Sequence, residues 1–132
     1  MSVASTIANK GDFCDNTAMK RLMTSFGHAT MGIKEAAKGR NFRIQLAVGV
    51  LAVVLGLALN ISAQNWIAII FAGGLVLALE ATNTAIEEIC NKFHPETHPH
   101  IALIKNLSAG AVLIASLAAL IVGIMVFGPL VF

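Results

Sequence analysis

Charge is what this sequence has least of. Only 12% of its 132 residues are Asp, Glu, Lys or Arg, against 57% hydrophobic residues and a mean hydropathy of +0.79, which excludes an ordinary soluble domain. Between Ile44 and Leu79 there are 36 residues without one charged side chain, a membrane-scale stretch. Cysteine is scarce as well: Cys14 and Cys90 both fall in segments read below as cytoplasmic, so both are expected as reduced thiols rather than a disulfide. The net charge of +2 comes with no free basic patch, since seven of the nine Lys and Arg residues lie between Lys10 and Arg43; nucleic acid is excluded as an expected partner. No Gly-x4-Gly-Lys-Ser/Thr loop and no kinase Gly-rich loop occurs, so any nucleotide must be bound in an unrelated way. The first 18 residues mix Lys10, Asp12 and Asp15 with no apolar run, so no signal peptide is expected and insertion falls to an internal span.

What is present reads as one domain of the all-α membrane class. Residues 1–16 lack hydrophobic periodicity and are expected as a poorly ordered extension. Over residues 17–38 apolar positions recur at Leu22, Met23, Phe26, Ala29, Thr30 and Ile33, with Lys20, Arg21, Lys34 and Lys38 elsewhere around the wheel. This predicts an amphipathic surface helix with a basic side, suited to an anionic membrane interface. Three spans follow, at about 42–60, 66–91 and 101–130. The first is Ala, Val, Leu, Ile and Gly with one Gln from Ile44 to Leu59, and the second opens on Trp66, placed as an interfacial anchor. Gly73-Gly74 within it is read as a close helix contact. Pro95 and Pro99 interrupt His94–His100, making that segment a polar loop.

The stretch Leu79–Glu88 ends the uncharged run. Glu80, Asn83 and Glu87 stand at i, i+3 and i+7 and project from one helical face. Clustered acids beside a span are costly to bury and are functional candidates, although a span whose last turns are merely solvated has the same spacing. Three chemistries compete. Cys90, His94, His98 and His100 offer zinc-type donors, but the prolines break the i, i+4 geometry. Carboxylates in membrane helices serve as proton or ion relays, but these lie at one end of a span. The third is phosphoryl transfer to a lipid hydroxyl, which needs a carboxylate base, a carboxylate for Mg²⁺ and cations for phosphate.

Two runs carry a family resemblance. Glu80-Ala81-Thr82-Asn83-Thr84-Ala85-Ile86-Glu87 and Lys105-Asn106-Leu107-Ser108-Ala109-Gly110-Ala111-Val112 resemble signatures of the small integral-membrane prokaryotic diacylglycerol kinases and their undecaprenol kinase relatives. Asn41-Phe42-Arg43, Glu96-Thr97-His98, and Arg21 with Gly27 and Gly32 extend the resemblance over about residues 20–125. It implies a homotrimer in the bacterial inner membrane, with active sites shared between subunits and ATP, Mg²⁺ and a membrane lipid as reactants. Carried over, Glu80 is the catalytic base with Asn83 ordering the site, and Glu87 is a magnesium ligand near the phosphates. Lys105 and Asn106 join Arg21, His28, Glu96, Thr97 and His98 as nucleotide contacts, while Arg21, Arg43 and Glu80 meet the lipid. The implied reaction is diacylglycerol to phosphatidic acid, with undecaprenol as the alternative acceptor. An impaired member or a non-enzymatic membrane oligomer is the remaining alternative.

Two positions depart from the family pattern. Gly39 stands where a second metal-binding Glu is usual and Asn106 where Asp follows the Lys; Glu35, one turn before Gly39, is the nearest acid that would replace the missing ligand. All nine Lys and Arg lie on the side of the N-terminal segment and the 92–105 region, with none on the 61–65 connection. The positive-inside rule therefore puts the N-terminus and the candidate site in the cytoplasm and the C-terminus outside. A reporter fused after Phe132 is expected to be accessible from outside the membrane and one fused before Ser2 from inside; a cytoplasmic C-terminal reporter overturns the three-span reading.

Overall fold

The computed structural model describes residues 3–93 and 98–131, with side chains from Ala18 to Leu130 within them. Four helices follow one another, α1 (Val3–Ala36), α2 (Arg40–Ala58), α3 (Ala63–Phe93) and α4 (Pro99–Val131), and no strand occurs among the described residues. The chain divides into two compact units, Met1–Glu35 and Ala36–Phe132.

The first unit is helix α1 alone. It begins at Val3, where the periodicity begins the surface helix at Thr17 and leaves residues 1–16 as an extension. The physical reason is that nothing stops the helix: the first proline is Pro95, and Gly11 costs only about 1 kcal/mol relative to Ala. The helix ends at Ala36 rather than Lys38, because residues 37 and 38 turn toward Gly39. From Ala18 to Glu35 every side chain is exposed. Thr24, Ser25 and Thr30 donate back to the carbonyls of Lys20, Arg21 and Gly27 at 2.9, 2.9 and 2.8 Å, so these hydroxyls need no partner outside their own helix.

The second unit contains three helices long and apolar enough to cross a membrane, with mean hydropathies of 1.8, 1.7 and 2.7 for α2, α3 and α4. Only 11%, 22% and 17% of these stretches is buried within the chain, so most of their apolar surface requires lipid or another protein around it. This is a membrane protein. The span limits move by one to three residues from those expected. Pro99 starts α4 because the first helical position needs no backbone N–H.

The α2–α3 turn is a Schellman motif. Asn60 takes the left-handed conformation at φ 50°, which Asn tolerates better than most side chains. Ile61 N–H then reaches Gly56 O at 3.2 Å and Asn60 N–H reaches Leu57 O at 3.4 Å. Ser62 caps α3, its Oγ accepting from Asn65 N–H at 3.3 Å. The turn therefore occupies 59–62 and α3 starts three residues before Trp66. Trp66, expected as an interfacial anchor, packs against a cluster of Ile61, Ile69 and Val126.

On α3 the buried residues are Ile69, Val76, Glu80, Asn83 and Cys90, a 3–4 spacing that forms one seam. The facing seam of α4 includes Val112, Ala115 and Val126. Gly73 and Gly74 do not interrupt α3, and a Cβ on either would meet nothing within 4 Å. Their expected close contact is thus not made inside the chain. Gly56 is different: a Cβ there would lie 2.9 Å from Trp66 Cη2 and 3.0 Å from Ile61 Cδ1. Gly56→Val is expected to destabilise the hairpin by about 1–3 kcal/mol, the cost of overpacking a filled site, read as a lower Tm in detergent; an unchanged Tm overturns this packing.

Candidate active site

Glu80 and Asn83 are the two buried polar residues among those described, each only 5% exposed. Their burial follows from sequence spacing, since both occupy the seam that carries Val76 and Cys90. A charge in such a place needs hydrogen-bond partners. Glu80 has one from α2: Gln45 Nε2 donates to Glu80 Oε2 at 3.1 Å. Thr84 Oγ1 donates to the Glu80 main-chain carbonyl at 3.0 Å. Gln45 Oε1, in turn, is buried with no partner among the described residues.

One turn further along α3, Asn83 Nδ2 donates to Glu87 Oε1 at 3.2 Å. Asn83 Oδ1 accepts from Ser108 Oγ of α4 at 2.6 Å. The two acids are thus separated by about 10 Å along the helix axis with an amide between them. Lys105, half-buried on α4, donates from Nζ to Asn91 Oδ1 at 2.7 Å. An amide oxygen therefore holds the ammonium while leaving its full charge available to an anion.

The remaining expected site residues are placed less centrally. Arg43 and Asn106 are exposed in the second unit. His98 is exposed and stacks on His100, ring centroids 5.6 Å apart. Arg21, His28 and Glu35 are exposed along α1, in the first unit. Glu96 and Thr97, with the centre of the His-rich loop, lie outside the described residues. Gly39, where a second acid is usual, has φ −65° and ψ 137°, a conformation open to any L residue. A Cβ there would stand 3.1 Å from Ala36 O, so an acid at this position requires the turn to give by a few tenths of an ångström. Cys90 is a buried free thiol.

Between α2, α3 and α4 runs an apolar groove of about 660 Å³. It extends along α2 from Ile44 to Leu55, about 16 Å at the helical rise. Its only polar side chains among the described residues are Gln45 and Ser116; small residues such as Gly49, Gly73 and Gly123 open its walls. Gln45 belongs both to this lining and to the hydrogen bond with Glu80. The groove therefore ends on the residue that holds the buried carboxylate.

Fold and site together define an all-helical membrane protein with a carboxylate and amide cluster at one end of an apolar groove. The family model described as "Prokaryotic diacylglycerol kinase" matches residues 27–127, and the chain belongs to this family of lipid kinases. It is 32% identical over 112 residues to an undecaprenol kinase of Bacillus subtilis, covering 84% of this chain and 91% of the relative. A diacylglycerol kinase of Synechocystis is 36% identical over 104 residues, 77% of this chain and 59% of that protein. The diacylglycerol kinase of Escherichia coli K12 is 29% identical over 108 residues, 81% and 88% of the two chains.

Sequence reasoning missed Gln45, Asn91 and Ser108 as members of the site. The signal was there for Gln45, the one polar side chain from Ile44 to Leu59, because such a residue in a span marks a helix contact or a site. Ser108 and Asn91 carry no such signal and are seen only when α3 and α4 are paired. Gln45→Leu removes the donor to Glu80 while filling much the same space. It is expected to lower lipid phosphorylation about tenfold or more, since hydrogen bonds to charged groups contribute about 1.5–3 kcal/mol; full turnover in this variant overturns the role of the Gln45–Glu80 contact.

Proposed function

We propose that the protein transfers the γ-phosphoryl group of ATP to the hydroxyl of diacylglycerol, giving phosphatidic acid and ADP. The observation that carries this reading is the groove that ends on Gln45 and, through it, on buried Glu80. An acyl chain lying in the groove would bring its headgroup to that end, where the carboxylate meets the hydroxyl. Glu80 takes the hydroxyl proton, the oxygen attacks the γ-phosphorus, and the bond to the β-phosphate oxygen breaks. Gln45 leaves one oxygen of Glu80 to act as base, and positioning the groups in line is most of what such a transfer needs.

Glu87 would hold the magnesium that accompanies ATP. Its Oε1 is bonded to Asn83 and its Oε2 carries no hydrogen bond among the described residues, so one oxygen is open as a ligand. No described group of three or more His, Cys, Asp or Glu side chains converges on one point, which fits a cation bound mainly by phosphate and water with one protein carboxylate. Bound there, Mg²⁺ supplies charge neutralisation to the phosphates. Lys105 would receive a phosphate oxygen, its Nζ being held by the neutral amide oxygen of Asn91 among the described residues. Asn106 and His98, with Glu96 and Thr97, are proposed nucleotide contacts, and Arg43 a proposed contact for the lipid. Assembly is proposed as a homotrimer in the bacterial inner membrane with the site facing the cytoplasm; the apolar surface left uncovered in one chain supports the membrane setting.

Undecaprenol is the second acceptor considered, on the 32% identity with the Bacillus subtilis undecaprenol kinase. Vesicles containing the protein, ATP, Mg²⁺ and either lipid decide between them: phosphatidic acid is the expected product, and undecaprenyl phosphate alone would transfer the reading to the second acceptor. Glu80→Gln is expected to cut kcat by about 10²- to 10⁴-fold, the usual contribution of a general base, with KM for ATP nearly unchanged. Glu87→Gln is expected to raise the MgATP requirement instead. A Glu80→Gln variant with near-normal lipid phosphorylation overturns the assignment of the base.

A further inference from the structure

We infer that Ser108 is a positioning residue that fixes Asn83, and through it Glu87, for the metal–nucleotide complex. The inference rests on the kinase reading above and deepens it. A carboxylate offers only acceptors, so the amide of Asn83 has to turn Nδ2 toward Glu87, as it does at 3.2 Å. That leaves Oδ1 of a side chain only 5% exposed facing α4, where it requires a donor. Ser108 Oγ supplies it at 2.6 Å, short for a hydroxyl bond.

The hydroxyl has one proton and two acceptors in reach, the second being Lys105 O at 2.9 Å. The Lys105 carbonyl belongs to the α4 ladder and accepts there from a backbone N–H one turn on. Asn83 Oδ1 has no other donor among the described residues. The proton is therefore needed on Asn83. With it there, a directed chain runs from Ser108 to the Asn83 amide to Glu87 Oε1. Without it, the amide is released to rotate about its terminal torsion, and Glu87 loses the partner that fixes its rotamer. The residue acts across the α3–α4 seam, so it also ties Glu87 to the helix that carries Lys105. The two groups expected to meet the phosphates are then set by one hydrogen-bonded connection.

The test uses the full chain in detergent micelles, with Mn²⁺ as the probe and a non-hydrolysable ATP analogue, free Mn²⁺ being read by electron paramagnetic resonance without lipid or turnover. Ser108→Ala is expected to weaken nucleotide-dependent Mn²⁺ binding about three- to tenfold, the range of one hydrogen bond, and to raise KM for MgATP more than it lowers kcat. Ser108→Thr keeps the hydroxyl and is expected to recover wild-type binding. The pair Asn83→Ala and Asn83→Ala/Ser108→Ala should bind alike, because Ser108 acts only through the amide. Wild-type Mn²⁺ binding in Ser108→Ala, or additive losses in the double variant, overturns the inference while leaving the kinase reading intact. Absence of nucleotide-dependent Mn²⁺ binding in the wild type overturns both. Should Ser108→Ala fail to fold, Ser108→Cys, which nearly keeps the volume but donates weakly, is compared with Ser108→Thr; equal binding by those two overturns the inference as well.

Discussion

The constraint on which the rest of the structure depends is the burial of Glu80 and Asn83 in the seam of α3. A carboxylate withdrawn from water loses solvation worth several kcal/mol, and it remains there only if fixed partners replace the water. The partners come from both neighbours, Gln45 on α2 and Ser108 on α4. Apolar packing between membrane helices does little to choose one register over another, because lipid is as apolar as Leu. Interhelical hydrogen bonds have a unique register. A slide of either neighbour by one turn would separate the donor from its acceptor by about 5.4 Å and strand a buried polar group. The two contacts therefore align three helices at the level of Glu80 and Asn83.

The architecture was legible from the sequence because it depends on length and hydropathy. Three apolar runs of membrane length, separated by Ser62-bearing and Pro-bearing connections, can do little but form a hairpin and a returning helix. Glu80, Asn83 and Glu87 were legible for the same reason: their spacing shows one face whatever packs against it. The partners were not, since Gln45, Ser108 and Asn91 become site residues only through the pairing of helices, and no periodicity along one helix contains that pairing. The connection expected at 61–65 lies at 59–62 because composition does not reveal the capping roles of Asn60 and Ser62. Their conformational roles, a left-handed C-terminal cap and an N-cap, separate the helices at 59–62. Residues 3–16 show the opposite error, in which missing amphipathicity was equated with missing helix. Amphipathicity records what a helix packs against, and the side chains of α1 described from Ala18 to Glu35 are all exposed.

The two ends of the α2–α3–α4 unit explain why the space between them persists. At the turn end, Gly56 admits the Trp66 ring, and Ile61, Ile69 and Val126 close behind it. At the other end the polar contacts of Glu80 and Asn83 hold the same helices together. Between these closures the walls carry Gly49, Ala52, Ala72, Gly73, Ala119 and Gly123, side chains too short to meet across the gap. Filling the groove by sliding the helices together would require breaking one clamp or the other. An apolar groove of this kind leaves its lining short of dispersion contacts, and a hydrocarbon chain would supply them without needing any polar partner until it reached Gln45. On the proposed reading, the groove would accept a hydrocarbon chain whatever its identity, and selection would fall to its polar end at Gln45 and Glu80. The division matches what a lipid kinase must do: accept a variable tail loosely and hold one oxygen tightly beside its base.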